Sequence, residues 1–183
     1  MSRVTLGLIA DTHVPDRRRA LHPQVLPTFR RAKVTAILHA GDLSISRVIT
    51  ELESVAPVVA VRGNRDWFDF DLPLHRTIQV GSVRIGLTHG HGNWLLYIRD
   101  KLQFLFYGPR SFSYFTDRAV SLAGNVDVVV FGHNHEPSVK RIAGRLVINP
   151  GSACCQMLPN RAPSVGLLHI DSDKISAEIV DLE

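Results

Sequence analysis

The stretch Phe131-Gly132-His133-Asn134-His135 decides how the rest of this chain is read. It closes a hydrophobic run, residues 126–131, that is mostly β-branched and uncharged after Asp127. Such a run reads as a buried strand. Gly132 allows a turn, and two imidazoles one residue apart beyond a buried strand can point into one crevice. Imidazole is the commonest transition-metal ligand, so the pair calls for partners elsewhere in the chain.

Four other strand-like runs end in comparable groups. Residues 4–10 lead to Asp11-Thr12-His13, 35–40 to Gly41-Asp42, 58–61 to Gly63-Asn64, and 83–88 to His89-Gly90-His91. Between the first three lie two helical patterns. Residues 22–33 carry Val25, Leu26 and Phe29, with Pro23 near the start; residues 44–55 carry Ile45, Val48, Ile49 and Leu52, with Ser44 as cap. A βαβαβ opening predicts a parallel sheet with right-handed crossovers and a ligand site beyond the strands' carboxyl ends. The second half predicts hairpins: 76–80 with 83–88, 139–142 with 146–148, and 165–170 with 175–180. Two packed sheets with helices outside follow, in one domain over residues 1–183 without repeat or linker.

Composition narrows the partners. At 183 residues and 45% hydrophobic content the chain can bury a substantial core. No uncharged apolar run approaches membrane-spanning length, so a membrane partner is not expected. The start lacks the apolar core of a signal peptide, and the two cysteines, Cys154 and Cys155, are adjacent. A reducing, cytoplasmic setting is the expectation. The formal charge of +4 and the run Arg17-Arg18-Arg19 permit an anionic partner. With no reading helix or separate binding domain, a nuclease is disfavoured and a solvated loop is an equal reading of the arginines.

The strand ends collect Asp11, His13, Asp42, Asn64, His89, His133 and His135. Two divalent cations a few ångströms apart need a ligand that spans both, and Asp42 is the natural carboxylate for it. Mixed nitrogen and oxygen ligation suits manganese, iron, zinc, nickel or cobalt better than the oxygen cages of calcium or magnesium. Such a pair lowers the pKa of a bridging water and clamps phosphate oxygens.

Taken in order, Asp11-Thr12-His13, Gly41-Asp42, Gly63-Asn64, His89-Gly90 and Gly132-His133-Asn134-His135 resemble the five motifs of the calcineurin-like metallophosphoesterases. Asn149-Pro150-Gly151-Ser152 is similar to a sequence of their small single-domain prokaryotic phosphodiesterase branch, which is related to the retromer subunit Vps29. The resemblance spans residues 11–152. It implies an α/β fold, a four-layer αββα sandwich of two mixed sheets flanked by helices, and a binuclear centre with manganese favoured. Asp11, His13, Asp42 and His135 would hold one metal, and Asp42, Asn64, His89 and His133 the other. A bridging hydroxide would attack phosphorus in line, on a diester ahead of a monoester. The other reading is a non-catalytic, Vps29-like protein-binding scaffold; that relative lacks some metal histidines, whereas here each motif position is filled.

Where many members of the superfamily carry a histidine after Gly-Asn, and the small branch often a cysteine, this chain has Arg65. Arginine cannot act as a general acid near neutral pH but can grip phosphate bidentately. Arg65 is therefore read as substrate-binding, with protonation of the leaving group left to water or His91, or dispensable; the other reading is a surface ion pair with Asp66 or Asp69. His91 faces the centre or supports it by hydrogen bonding. His39 is either a ligand-orienting group or a neutral buried histidine, and His22, His75 and His169 are structural or surface. Cys154 and Cys155 read as small buried hydrophobes or as neighbours of the metals.

Residues 93–115 hold Trp94, Tyr97, Phe104, Phe106, Tyr107, Phe112, Tyr114 and Phe115, an aromatic insertion relative to the small family members. Asn93 caps a predicted helix to about Tyr107, stopped by Gly108-Pro109. The segment is read as added packing or an oligomer contact on one side, and as a substrate-facing lid on the other.

Overall fold

The computed structural model describes residues 3–66, 71–155, 161–172 and 174–183. The expected alternative pairing of Arg65 with Asp69 lies outside them.

The opening is the predicted alternation: β1 (Val4–Ile9), α1 (Val25–Arg31), β2 (Ala36–His39), α2 (Arg47–Glu53) and β3 (Val58–Ala60). β1, β2 and β3 are parallel neighbours. The C-terminal hairpin, β9 (Ser164–Asp171) with β10 (Lys174–Asp181), completes this sheet by laying β9 antiparallel on β1, giving the order β10-β9-β1-β2-β3. The second sheet holds β4 (His75–Val80), β5 (Val83–Thr88), β6 (Val128–Val130), β7 (Ser138–Ile142) and β8 (Arg145–Asn149) in the order β4-β5-β6-β8-β7. Its middle strands β5, β6 and β8 run parallel, with β4 and β7 antiparallel at the edges.

The inner faces of both sheets make one core, in which Leu6, Leu8 and Leu38 meet Ile85, Val128, Val130 and Ile148. On the outer face of the first sheet Phe29 of α1 and Leu52 of α2 pack over Ile9 and Ile37. On the outer face of the second, Ala119 and Ala123 pack over Val129, Phe131 and Val147. These layers make a four-layer αββα sandwich. Gly7 explains how close the first outer layer sits: a Cβ there would lie 3.0 Å from the Phe29 ring.

Two helical expectations change. α1 and α2 are shorter than the periodic patterns, and Ser44 does not cap α2; the helix starts after Ser46, and Ser44 takes a left-handed backbone with its N–H given to Asp66. The predicted helix from Asn93 is α3 (Trp94–Tyr107), with the Asn93 side chain accepting from the Leu96 N–H at 3.0 Å and Gly108 at its end. A second helix, α4 (Phe112–Ala123), follows and supplies the outer layer of the second sheet. Its buried face is Thr116, Ala119 and Ala123, too small and too polar to stand out as a hydrophobic period. The aromatic segment therefore divides. α4 packs as core, whereas no residue of α3 is buried.

Candidate metal centre

β1, β2, β3, β5 and β6 all deliver their carboxyl ends to one place, and all seven sequence-selected donors meet there. Asp11, His13, Asp42, His89 and His135 are buried, while Asn64 and His133 are half-buried. Asp11, His13, Asp42, His133 and His135 each have positive φ, between 48° and 76°. Side chains other than glycine seldom adopt that backbone, and such strain gathers at functional sites. Here it turns the chain tightly at the strand ends, where the side chains of 11 and 13, and of 133 and 135, are delivered to the site.

The donors fall into two groups. His135 Nε2 lies 3.3 Å from Asp11 Oδ1 and 3.2 Å from His13 Nε2. On the other side His133 Nδ1 lies 2.8 Å from Asn64 Oδ1 and 3.3 Å from His89 Nε2, which is itself 3.0 Å from Asn64 Oδ1. Asp42 stands between: Oδ2 is 3.8 Å from His13 Nε2, and Oδ1 is 3.4 Å from His89 Nε2.

Carbonyls fix two of the rings. His89 Nδ1 donates to the Ala40 carbonyl at 2.7 Å and His135 Nδ1 to the Cys155 carbonyl at 2.8 Å. A carbonyl only accepts, so when either ring is neutral its Nε2 lone pair is turned into the centre, the arrangement metal-binding histidines use. Against burial, Asp11 favours the protonated form of His135, raising it to about 10, and Asp42 likewise raises His89, so a cation bound there would take the place of those protons. This donor set fits divalent cations. Asp11 Oδ1 is buried without a hydrogen-bond partner among the described residues, and imidazole nitrogens crowd one another on both sides. Burial pushes the Asp42 carboxyl up to about 6, against the pull of His89, as expected of a buried carboxylate short of positive charge. Burial likewise lowers His13 to about 4. Burial opposes ionisation of Asp11, but His135 beside it holds that carboxyl well below the usual range.

Sequence reasoning missed the group that ties the loops together. Asp66 is buried, and its carboxylate accepts three backbone N–H groups, from Asp42 at 2.9 Å, Gly63 at 2.7 Å and Ser44 at 2.8 Å. It thereby clamps the loop after β2, which carries Asp42, to the loop after β3, which carries Asn64. Gly63 is required at that junction, since a Cβ would sit 2.1 Å from Asp42 Oδ1. Asn149 and Ser152 do similar work on the opposite side. Asn149 Nδ2 donates to the Gly132 carbonyl and to Asn134 Oδ1, and Ser152 Oγ donates to the Asp11 carbonyl at 2.7 Å.

Arg65 and His91 sit less centrally than the donors. The Arg65 guanidinium pairs with Asp16 at 2.9 Å, not with Asp66, whose carboxylate is already taken by backbone. Its own N–H donates to Asp42 Oδ1 at 2.8 Å. His91 is buried beside His89, with ring centroids 5.3 Å apart, but it lines a second cavity of about 290 Å³ with Arg62, Leu74 and Trp94, which shares Asn64 with the cavity above the donors. Desolvation, then His89, lower it to about 3, so it is neutral near pH 7. His39 is buried and neutral: Nδ1 accepts from the Gly41 N–H and Nε2 lies 3.3 Å from Thr12 Oγ1, which steadies the loops of Asp11 and Asp42. Arg17 and Arg18 reach Cys155 Sγ and the Cys154 carbonyl, which ties this arginine run to the loop after Ser152.

Above the donors opens a cavity of about 450 Å³. His13, Asp42, Asn64 and His133 form its floor, and Tyr97 and Phe104 of α3 with Phe112 and Phe115 of α4 form its apolar wall. Arg17, Arg65, Lys101 and Arg110 supply cations around it.

A buried N/O donor cluster at the carboxyl ends of two packed mixed sheets defines a metallohydrolase-type centre. The chain belongs to the calcineurin-like phosphoesterase superfamily, whose domain model matches residues 4–173. It is 37% identical over 176 residues to a probable metallophosphoesterase of Methanothermobacter thermautotrophicus, covering 96% of this chain and 91% of that one. A phosphodiesterase of Methanocaldococcus jannaschii is 27% identical over 195 residues, covering 97% and 99%. Among solved structures, wild-type Vps29 from Entamoeba histolytica complexed with zinc superposes with a TM-score of 0.65 at 26% identity, covering 98% of this chain and all of that one.

Proposed function

We propose that this protein is a binuclear-metal-dependent phosphodiesterase, with Asp42 as the ligand shared between two cations. The supporting observation is the placing of the Asp42 carboxylate, one oxygen toward His13 and the other toward His89. Asp11, His13 and His135 would complete one ion's ligands, and Asn64, His89 and His133 the other's. When bound, such a pair supplies positive charge against phosphate oxygens and lowers the pKa of a water molecule. Manganese is favoured, ahead of iron, zinc, nickel or cobalt, for this mixed donor set.

The chain's own residues then bind and orient the ester. Arg65 leaves Asp16 and grips a non-bridging oxygen; their pair is half exposed, so releasing it costs little, about 1 kcal/mol or less. No proton can come from Arg65, and neutral His91 faces the other cavity, so departure of the leaving group relies on water or on its own acidity. Tyr97, Phe104, Phe112 and Phe115 make the 93–115 segment a substrate-facing insertion, suited to an aryl or nucleoside substituent. A diester is favoured because one phosphate substituent can lie against this wall while the other departs.

Metal analysis of purified protein, joined to hydrolysis of diesters, monoesters, cyclic nucleotides and single-stranded DNA, tests the reading. About two ions per chain and faster diester than monoester turnover are expected; a monoester preference would make the protein a phosphomonoesterase of the same fold. Metal-loaded protein with no turnover would favour the Vps29-like scaffold, which a complete donor set argues against. For Arg65→Ala we expect kcat/KM to fall by roughly ten- to a hundredfold. The loss should be independent of leaving-group pKa, because Arg65 touches the phosphoryl group and not the departing oxygen. Kinetics unaltered across a series of aryl diesters would leave Arg65 as nothing more than the partner of Asp16.

A further inference from the structure

α3 has two functional faces, and the cavity uses only one. At about 100° per residue, Tyr97, Asp100 and Phe104 fall on the inner side, where they line the cavity. Leu95, Ile98, Leu102, Leu105 and Phe106 fall within an arc of about 120° on the outer side. Leu95 is 76% exposed, Leu105 72% and Phe106 71%. Trp94 opens this stripe, also exposed, with its ring 5.6 Å from that of Tyr97. With large side chains carrying about 150–250 Å² each, the stripe presents roughly 600 Å² of apolar surface, the upper end of what soluble monomers leave open.

Charge decides what covers it. Arg99 and Lys101 border the stripe on its two sides and are both exposed; Arg99 donates to the Tyr114 hydroxyl at 2.7 Å, and Lys101, at the rim of the cavity, lies 5.3 Å from the Tyr97 ring centroid, neutral partners that leave both charges uncancelled. Asp100, the only acid on α3, is turned inward and held by Arg110 at 3.2 Å and Arg118 at 2.6 Å. A twofold pairing of α3 with a second copy would bring the cations of both helices to one seam, with no outward carboxylate on the helix to offset them. An anionic lipid surface complements the same pattern, taking the apolar stripe among its acyl chains and the flanking cations at its headgroups. The chain's formal charge of +4 acts in the same direction. A spanning segment is a different matter, and no described helix is long and apolar enough to cross a bilayer.

We infer that the outer face of α3 docks this protein on anionic lipid bilayers, with the helix lying in the plane of the interface. The inference does not depend on the catalytic reading, because binding is measured without turnover. Flotation with vesicles of equal parts phosphatidylcholine and phosphatidylglycerol should carry the wild-type protein upward. Vesicles of phosphatidylcholine alone should leave it behind. Leu102→Asp combined with Phe106→Asp should weaken partitioning by at least about tenfold. Both side chains point outward, so the thermal midpoint and the hydrolysis of a small soluble diester should not change. Wild-type protein that ignores the anionic vesicles would overturn the inference. So would a wild-type dimer in sedimentation velocity that the double substitution converts to monomer, since a second copy would then be the occupant.

Discussion

Asp42→Asn is expected to lower kcat/KM for phosphodiester hydrolysis by roughly a thousandfold or more, while leaving the fold intact. The amide has nearly the shape of the carboxylate but carries no charge, and one of its two positions becomes an N–H donor facing imidazole nitrogens. Asp42 Oδ1 and Oδ2 approach His89 and His13 respectively, so either orientation of the amide disables one side of the centre. Several kcal/mol of transition-state stabilisation attributable to bound cations corresponds to about three orders of magnitude in rate. The backbone at this position is held independently, through the Asp42 N–H to Asp66. The metal-free variant should therefore unfold at a denaturant concentration no lower than wild type, since a costly buried charge has gone. Metal content should fall below two ions per chain, and His133→Ala should do the same by removing an imidazole on the side of Asn64 and His89. Full turnover in both variants would contradict the proposed centre.

Asp66→Ala should have the largest effect on stability of any change near the site, about 3–5 kcal/mol. Three backbone N–H groups, those of Asp42, Ser44 and Gly63, would lose their acceptor at once in a buried loop junction. Each unsatisfied buried donor costs about 1–3 kcal/mol, with water entering to recover part of the total. For a chain of this size the loss corresponds to a fall in Tm of about 8–15 °C. Asp66→Asn keeps one acceptor oxygen and should lie between alanine and wild type. In either variant the loops carrying Asp42 and Asn64 are no longer clamped, so metal affinity should fall alongside stability. A calorimetric midpoint within a degree or two of wild type in Asp66→Ala would show that the three hydrogen bonds contribute little. This role also settles the competing use of the side chain: a carboxylate occupied by three backbone donors is not the partner of Arg65, which turns to Asp16 instead.

Local signals were enough to find the donors. Buried strands show as short β-branched runs, and the polar residues after them, Asp11, His13, Asp42, Asn64, His89, His133 and His135, stand out because nothing in strand propensity calls for them. Helix α3 was legible for the same reason, with Asn93 as cap and Gly108 as stop. α4 was not, because a helix that packs closely on a sheet uses small residues such as Ala119 and Ala123, which carry no strong period. Nor was Asp66 legible, because its partners are main-chain N–H groups and every residue but proline has one.

Residue order therefore carries the chemistry: which atoms are available, and at which strand ends they emerge. Whether α3 is core, wall or docking surface depended on which of its faces met the rest of the chain. Tertiary structure alone decided that Asp42 faces both donor groups, that Asp66 locks two loops, and that Arg65 pairs with Asp16, 49 positions away. Strand and turn preferences act over a few residues, whereas these contacts join segments distant along the chain, so their geometry is set only when the two sheets pack.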